Sequence, residues 1–173
     1  MPDKFTQVAA GDIHDQDTMK SENSTYTQKR PVILVGGGTG GHIFPLVAIG
    51  EELANKKIPF IYVGSRDSKE EEVTIGLGWQ FVAIEAGKWR RYFSLGSLFL
   101  NLRDTFKVVV GLFQSIKLLH QTEATTVVSK GGFVALPMVY AARLTGRRLI
   151  VLESDAVMGA TNRLSSRFAD KVL

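Results

Sequence analysis

The sequence predicts an α/β fold: a parallel sheet with helices on both faces, Rossmann-like in organisation. Three observations predict it. From residue 31 onward, short β-branched runs alternate with apolar runs of helical period. That alternation is the pattern of a parallel sheet covered on both faces. Glycine-rich turns follow two of the strand-like runs, at 36–41 and 131–132, where such sheets bind ligands, outside the carboxyl ends of their strands. No repeat of short period competes with this reading.

The elements follow in order. Val32-Ile33-Leu34-Val35 is the first strand, and 46–55 the first helix, with Pro45 at an early helical position. Strand 60–63 ends at Gly64. A helix over 67–75 carries acidic residues in its first turns, and Asp67 is its expected cap. Strand 80–84 precedes a long helix over 98–120. Its expected core stripe is Phe99, Leu102, Phe106, Val109, Val110, Phe113 and Ile116, with Val108, Leu112 and Leu119 as a narrow second strip that either packs under the preceding loop or dips into a membrane leaflet. Strand 125–129, helix 133–144, strand 148–152 and helix 159–168 follow, and Lys171-Val172-Leu173 reads as the opening of another strand. Residues 1–30 are polar and aperiodic, and read as a disordered tail or expression remnant before the domain at 31–173. The Asp15-Gln16-Asp17 triplet and His14 fall in that tail and read as solvated charge.

Composition narrows the class. The 173 residues suit one domain with a tail; 45% are hydrophobic and 22% charged, ordinary for a globular protein. There is no cysteine, so disulfides and thiolate metal sites are excluded. The net charge of +4 and a pI of about 9.4 suit an anionic partner, whether membrane lipid, diphosphate or nucleic acid. No apolar run approaches the roughly 20 residues that span a bilayer, and the polar N-terminus lacks the apolar segment of a signal peptide.

The stretch Gly36-Gly37-Gly38-Thr39-Gly40-Gly41-His42-Ile43-Phe44-Pro45 sits at a strand-to-helix turn. Its glycines permit positive φ and close backbone approach, and the following helix aims free N–H groups at the turn. A phosphate or diphosphate suits that geometry, as does a turn needed only for packing. Gly36, Gly38 and Gly41 also satisfy the dinucleotide spacing G-x-G-x-x-G, with Arg66 or Asp67 as candidate ribose partners, so an NAD(P)-binding oxidoreductase domain is the alternative. His42, near the helix N-terminus, is placed as a neutral imidazole able to accept a proton. Ser129-Lys130-Gly131-Gly132-Phe133 repeats the arrangement after the fourth strand and adds a cation. It is not a P-loop.

The run GGGTGGHIFP resembles the first motif of MurG-type glycosyltransferases, and the glycine-glycine-aromatic turn with Pro137 is similar to a second. Glu153, Gly159, Asn162 and Arg163 match the family's third motif, whereas Leu152, Ser154 and Asp155 depart from it, and Phe133 stands where a Tyr is usual. The resemblance covers residues 32–173. It implies the acceptor-binding, N-terminal half of a GT-B enzyme, whose donor half is not in this sequence. The activity implied is an inverting, metal-independent hexosyl transfer with no cofactor. N-acetylglucosamine would move from UDP-N-acetylglucosamine to the 4-hydroxyl of a lipid-linked muramyl-pentapeptide in peptidoglycan synthesis. His42 would be the catalytic base with Glu153 in support. Gly38, Thr39, Gly40, Gly41, Lys130, Gly131, Gly132, Phe133, Asp155 and Asn162 would bind substrate. Asp155 could equally cap the following helix.

Lys88-Trp89-Arg90-Arg91-Tyr92-Phe93 interleaves cations with rings. That composition serves a membrane interface or a single-stranded nucleic-acid platform. The resemblance implies the first: Trp89, Arg90, Arg91, Tyr92 and Phe93 would touch an anionic bilayer, with no nucleic acid bound. It also implies a cytoplasmic protein, peripheral on the inner face of the plasma membrane. A non-catalytic membrane-docking subunit of a split glycosyltransferase is a further reading.

Overall fold

The computed structural model of the chain describes residues 30–87 and 95–173. The N-terminal tail and the segment from Trp89 to Phe93 lie outside the described residues, as do the side chains of Phe99 and Leu102.

Six strands and five helices alternate: β1 Val32–Gly36, α1 Gly40–Asn55, β2 Phe60–Gly64, α2 Lys69–Gly76, β3 Phe81–Ala83, α3 Leu95–Gln121, β4 Thr126–Gly131, α4 Ala135–Leu144, β5 Arg148–Val151, α5 Ala160–Ser165 and β6 Lys171–Val172. All strand pairs are parallel, in the order β3-β2-β1-β4-β5-β6. Alternate residues of each strand enter opposite cores. Ile33, Val35, Ile61, Val63, Val127 and Leu149 meet Leu119 of α3 and Met138 of α4 on one face. Leu34, Tyr62 and Val128 meet Leu46 of α1 on the other. The strand order reverses between β1 and β4, and the crevice of a doubly wound sheet opens at such a switch point.

Three local readings are corrected. Helix α1 begins at Gly40, not at Leu46, so Pro45 lies inside it. Glycine and proline argue against helix in the sequence, but Thr39 takes an extended capping conformation and Ile43 and Leu46 bury on the sheet, which outweighs that propensity. Helix α2 is capped by Ser68, whose Oγ accepts from the Glu71 amide at 3.3 Å; Asp67 instead takes a left-handed conformation with φ of 51°.

The third correction is the face of α3. Leu119 is fully buried, and Leu112 and Ile116 pack against the core, whereas Phe106 and Phe113 are each 68% exposed, with Val109 and Val110 also exposed. The inward stripe includes Gly111 and Ser115, both buried. A methyl group on Gly111 would strike the carbonyl oxygen of Glu85 and crowd Pro137 of α4. Ser115 Oγ donates to the Gly111 carbonyl at 2.7 Å. Small residues set this close helix packing; of the expected stripe Ile116 does pack on the core, but Phe106, Val109, Val110 and Phe113 lie on the opposite face.

A candidate active site at the switch point

The two glycine turns lie side by side at the carboxyl ends of β1 and β4. The β1–β4 register slips between Val35 and Gly36, so that Gly36 faces Gly131. Gly131 and Gly132 have φ of 97° and 81°, the left-handed region that favours glycine. A side chain on Gly132 would collide with the Gly37 carbonyl oxygen, so the two turns meet backbone to backbone there.

Glu70 reaches this junction from α2. It is 1% exposed, and its carboxylate accepts from the Gly38 amide at 3.2 Å and from the Ser65 amide at 3.2 Å. A methyl group on Gly37 would run into the same carboxylate. Beneath it, Tyr62 donates its hydroxyl to the Gly36 carbonyl at 2.9 Å. Burial, and then the charge of Glu70, push the Tyr62 phenol well above its usual range, so it stays a donor. From sequence alone Glu70 is marked only as part of an acidic first turn. The available signal was the pair Gly37 and Gly64, both bare where this side chain passes.

The Gly38 amide is therefore engaged within the protein, contrary to its expected freedom to hold a phosphate. The amides of Gly40 and Gly41, the first two of α1, have no partner among the described residues. The exposed Thr39 hydroxyl makes no capping bond. His42 follows directly, its backbone held by the Thr39 carbonyl at 3.0 Å; its Nδ1 is buried without a hydrogen-bond partner.

The second turn rests on a polar network. Lys130 is 1% exposed, and its Nζ points inward to 3.8 Å from Glu153 Oε1 without a hydrogen bond. The resemblance implied Lys130 as a substrate-binding cation; here its ammonium is turned into the protein toward Glu153. Glu153 Oε1 accepts from the Asp155 amide at 3.0 Å, and Oε2 accepts from Asn162 Nδ2 at 3.0 Å. Burial alone would raise the Glu153 carboxyl, but the hydrogen bonds from Asp155 and Asn162 and the charge of Lys130 outweigh it and hold the group below the usual carboxylate range. Glu153 thus pairs with the second turn, and among the described residues it makes no bond to His42. Asn162 is buried; its Nδ2 also donates to the carbonyls of Lys130 and Leu152, and its Oδ1 lies against Gly131 with no donor. Asp155 is exposed and does not cap α5, whose cap is Gly159. Ser129 Oγ, which no motif singles out, is another buried polar atom at this edge without a partner.

Beside the first turn a cavity of about 510 Å³ opens, lined in part by Gly38, Arg66, Glu70, Ile84 and Phe133. The Lys107–Glu85 ion pair, at 3.3 Å, closes one wall. No cluster of three potential metal ligands occurs among the described residues. No helix among them is long and apolar enough to cross a membrane.

Comparison with known proteins agrees with this architecture. The model of the glycosyltransferase family 28 N-terminal domain matches residues 32–173. The chain is similar to the UDP-N-acetylglucosamine--N-acetylmuramyl-(pentapeptide) pyrophosphoryl-undecaprenol N-acetylglucosamine transferase of Treponema pallidum (strain Nichols), with 38% identity over 82% of this chain and 36% of the relative. The protein of the same name from Legionella pneumophila (strain Lens) is 40% identical over 82% of this chain and 38% of its own length. Among solved structures, Acinetobacter baumannii MurG superposes with a TM-score of 0.68 at 26% identity, over 83% of this chain and 40% of that one. The chain thus spans less than half the length of these relatives.

Proposed function

The chain belongs to glycosyltransferase family 28 through its N-terminal domain, and on that premise we propose that it is the acceptor-binding half of an inverting transferase. The reaction moves N-acetylglucosamine from its UDP donor to the 4-hydroxyl of a lipid-linked muramyl-pentapeptide. The observation that carries the reading is the switch-point geometry: two glycine turns in backbone contact, with the open amides of Gly40 and Gly41 directly before His42. Those amides and the positive end of α1 suit the acceptor diphosphate. His42 then takes the proton of the attacking hydroxyl, leaving its oxygen free to displace UDP from the anomeric carbon. Glu153, held ionised by its donors, supports the second turn through Asn162 and Lys130 rather than acting as a base.

The same reading assigns the exposed face of α3, Phe106, Val109, Val110 and Phe113, to the membrane that carries the acceptor. The aromatic and basic residues Trp89 to Phe93 precede that helix in sequence and would meet anionic headgroups. Equilibrium binding of a fluorescent lipid-linked muramyl-pentapeptide to this chain tests the proposal. Saturable binding that a muramyl diphosphate competes away is expected. Binding of NADH in its place would overturn it.

A further inference from the structure

A second concavity of about 510 Å³ lies at the opposite edge of the sheet from the glycine turns. Arg143 from the last turn of α4, Arg147 and Arg148 at the start of β5, and Arg167 after α5 converge on it, beside Phe168 and Asp170. Four arginines and one aspartate line it. The carboxylate is already used, since Asp170 Oδ2 accepts from the Leu149 amide at 2.7 Å. None of the four arginines forms an ion pair among the described residues. Arg147 Nε is buried with no hydrogen-bond partner.

A cation at a helix C-terminus offsets the dipole, which accounts for a single charge beside α4 and another beside α5. It does not account for four guanidinium groups on one concavity. Leaving a buried donor unmatched is unfavourable, and like charges this concentrated repel. An oxyanion relieves both penalties. Guanidinium forks match phosphate oxygens in pairs, and a phosphate carries more charge than the carboxylate already present.

We propose that this arginine concavity is a phosphate-binding site, separate from the glycine turns and independent of the transferase reading. The phosphate belongs either to a soluble phosphate or phosphomonoester, or to an anionic lipid headgroup. Amide spectra of the full chain, titrated with inorganic phosphate at fixed ionic strength, test the first source. Co-sedimentation with phosphatidylglycerol against phosphatidylcholine vesicles, in the F106S/F113S background that removes the exposed α3 face, tests the second. Saturable shifts at Gly146, Arg147 and Ala169, or selective sedimentation with phosphatidylglycerol, are expected. The double variant R147Q/R148Q should weaken that response about tenfold for each guanidinium removed. The charge-matched control K56Q/K57Q, on the exposed end of α1, should leave it intact. The single variants R143Q and R167Q, on separate walls, give the same reading if the double variant does not fold. A response in neither arm overturns the proposal, as does a response that survives every arginine variant or that K56Q/K57Q weakens equally.

Discussion

Glu70 holds the first glycine turn in shape by supplying acceptors for the Gly38 and Ser65 amides from one buried carboxylate. A glutamine in its place keeps the volume but offers only one acceptor oxygen, so one amide is left unmatched. Glu70→Gln should therefore lower stability by about 1–3 kcal/mol, the cost of a buried donor without a partner, read from the urea midpoint. Glu153 gives a pH signature. Its carboxyl sits below the usual range in the folded protein, so the unfolded chain binds the proton more readily. The stability it contributes is complete above the ordinary glutamate value and is lost as pH falls through the lower, folded value. Glu153→Gln should flatten the acid limb of a stability-against-pH curve; an unchanged acid limb would remove Glu153 from the network. His42 is bound through its backbone and has an unpartnered Nδ1, so its imidazole contributes little to folding. In a transferase assembled with a donor domain, His42→Ala should cut turnover by about 10²–10⁴-fold, the usual worth of a positioned base, while the thermal midpoint stays nearly constant.

Helix α3 shows what amphipathic patterning leaves ambiguous. Apolar residues occur on more than one side of it, and the side that packs is marked by Gly111 and Ser115, which add little to any hydrophobic count. Strand and helix order from Val32 onward was legible because β1, β2, β4 and β5 are compact runs rich in β-branched residues, separated by turns and helical patterns. The face of α3 was not, because it depends on how closely α4 approaches. The same limit applies to Lys130 and Glu153: their types were visible, but their pairing needs the β4 and β5 ends to be neighbours. Substitution separates the two faces. Leu119→Ala should cost about 2–5 kcal/mol as a core truncation. Phe106→Ser with Phe113→Ser should leave the urea midpoint nearly unchanged and weaken sedimentation with anionic vesicles. Full vesicle binding by that pair would take the membrane away from this face.

At the scale of the molecule, the sheet offers one switch point among the described residues, and the open amides of Gly40 and Gly41 lie at it. The order β3-β2-β1-β4-β5-β6 puts a single reversal between β1 and β4. The turn there leaves Gly40 and Gly41 free, whereas the α4 N-terminus is led by Val134 in a helical conformation with no side-chain cap. A transfer from UDP-N-acetylglucosamine to a diphosphate-linked lipid involves two diphosphates, one on the acceptor and one leaving with the donor. Two amides beside His42 suit one of them, and the leaving group needs its own positive field to depart. The chain also spans only 36% to 40% of the length of the relatives and of the MurG structure to which it is similar. Residues 31–173 alone should therefore bind the lipid-linked acceptor yet fail to transfer N-acetylglucosamine from UDP to it. Adding a donor domain from a family relative in trans, or joined to the chain, should restore transfer, and His42→Ala in that assembly should abolish most of the gain. Robust turnover by residues 31–173 unaided, followed by release of UDP, would show that this half carries both sites.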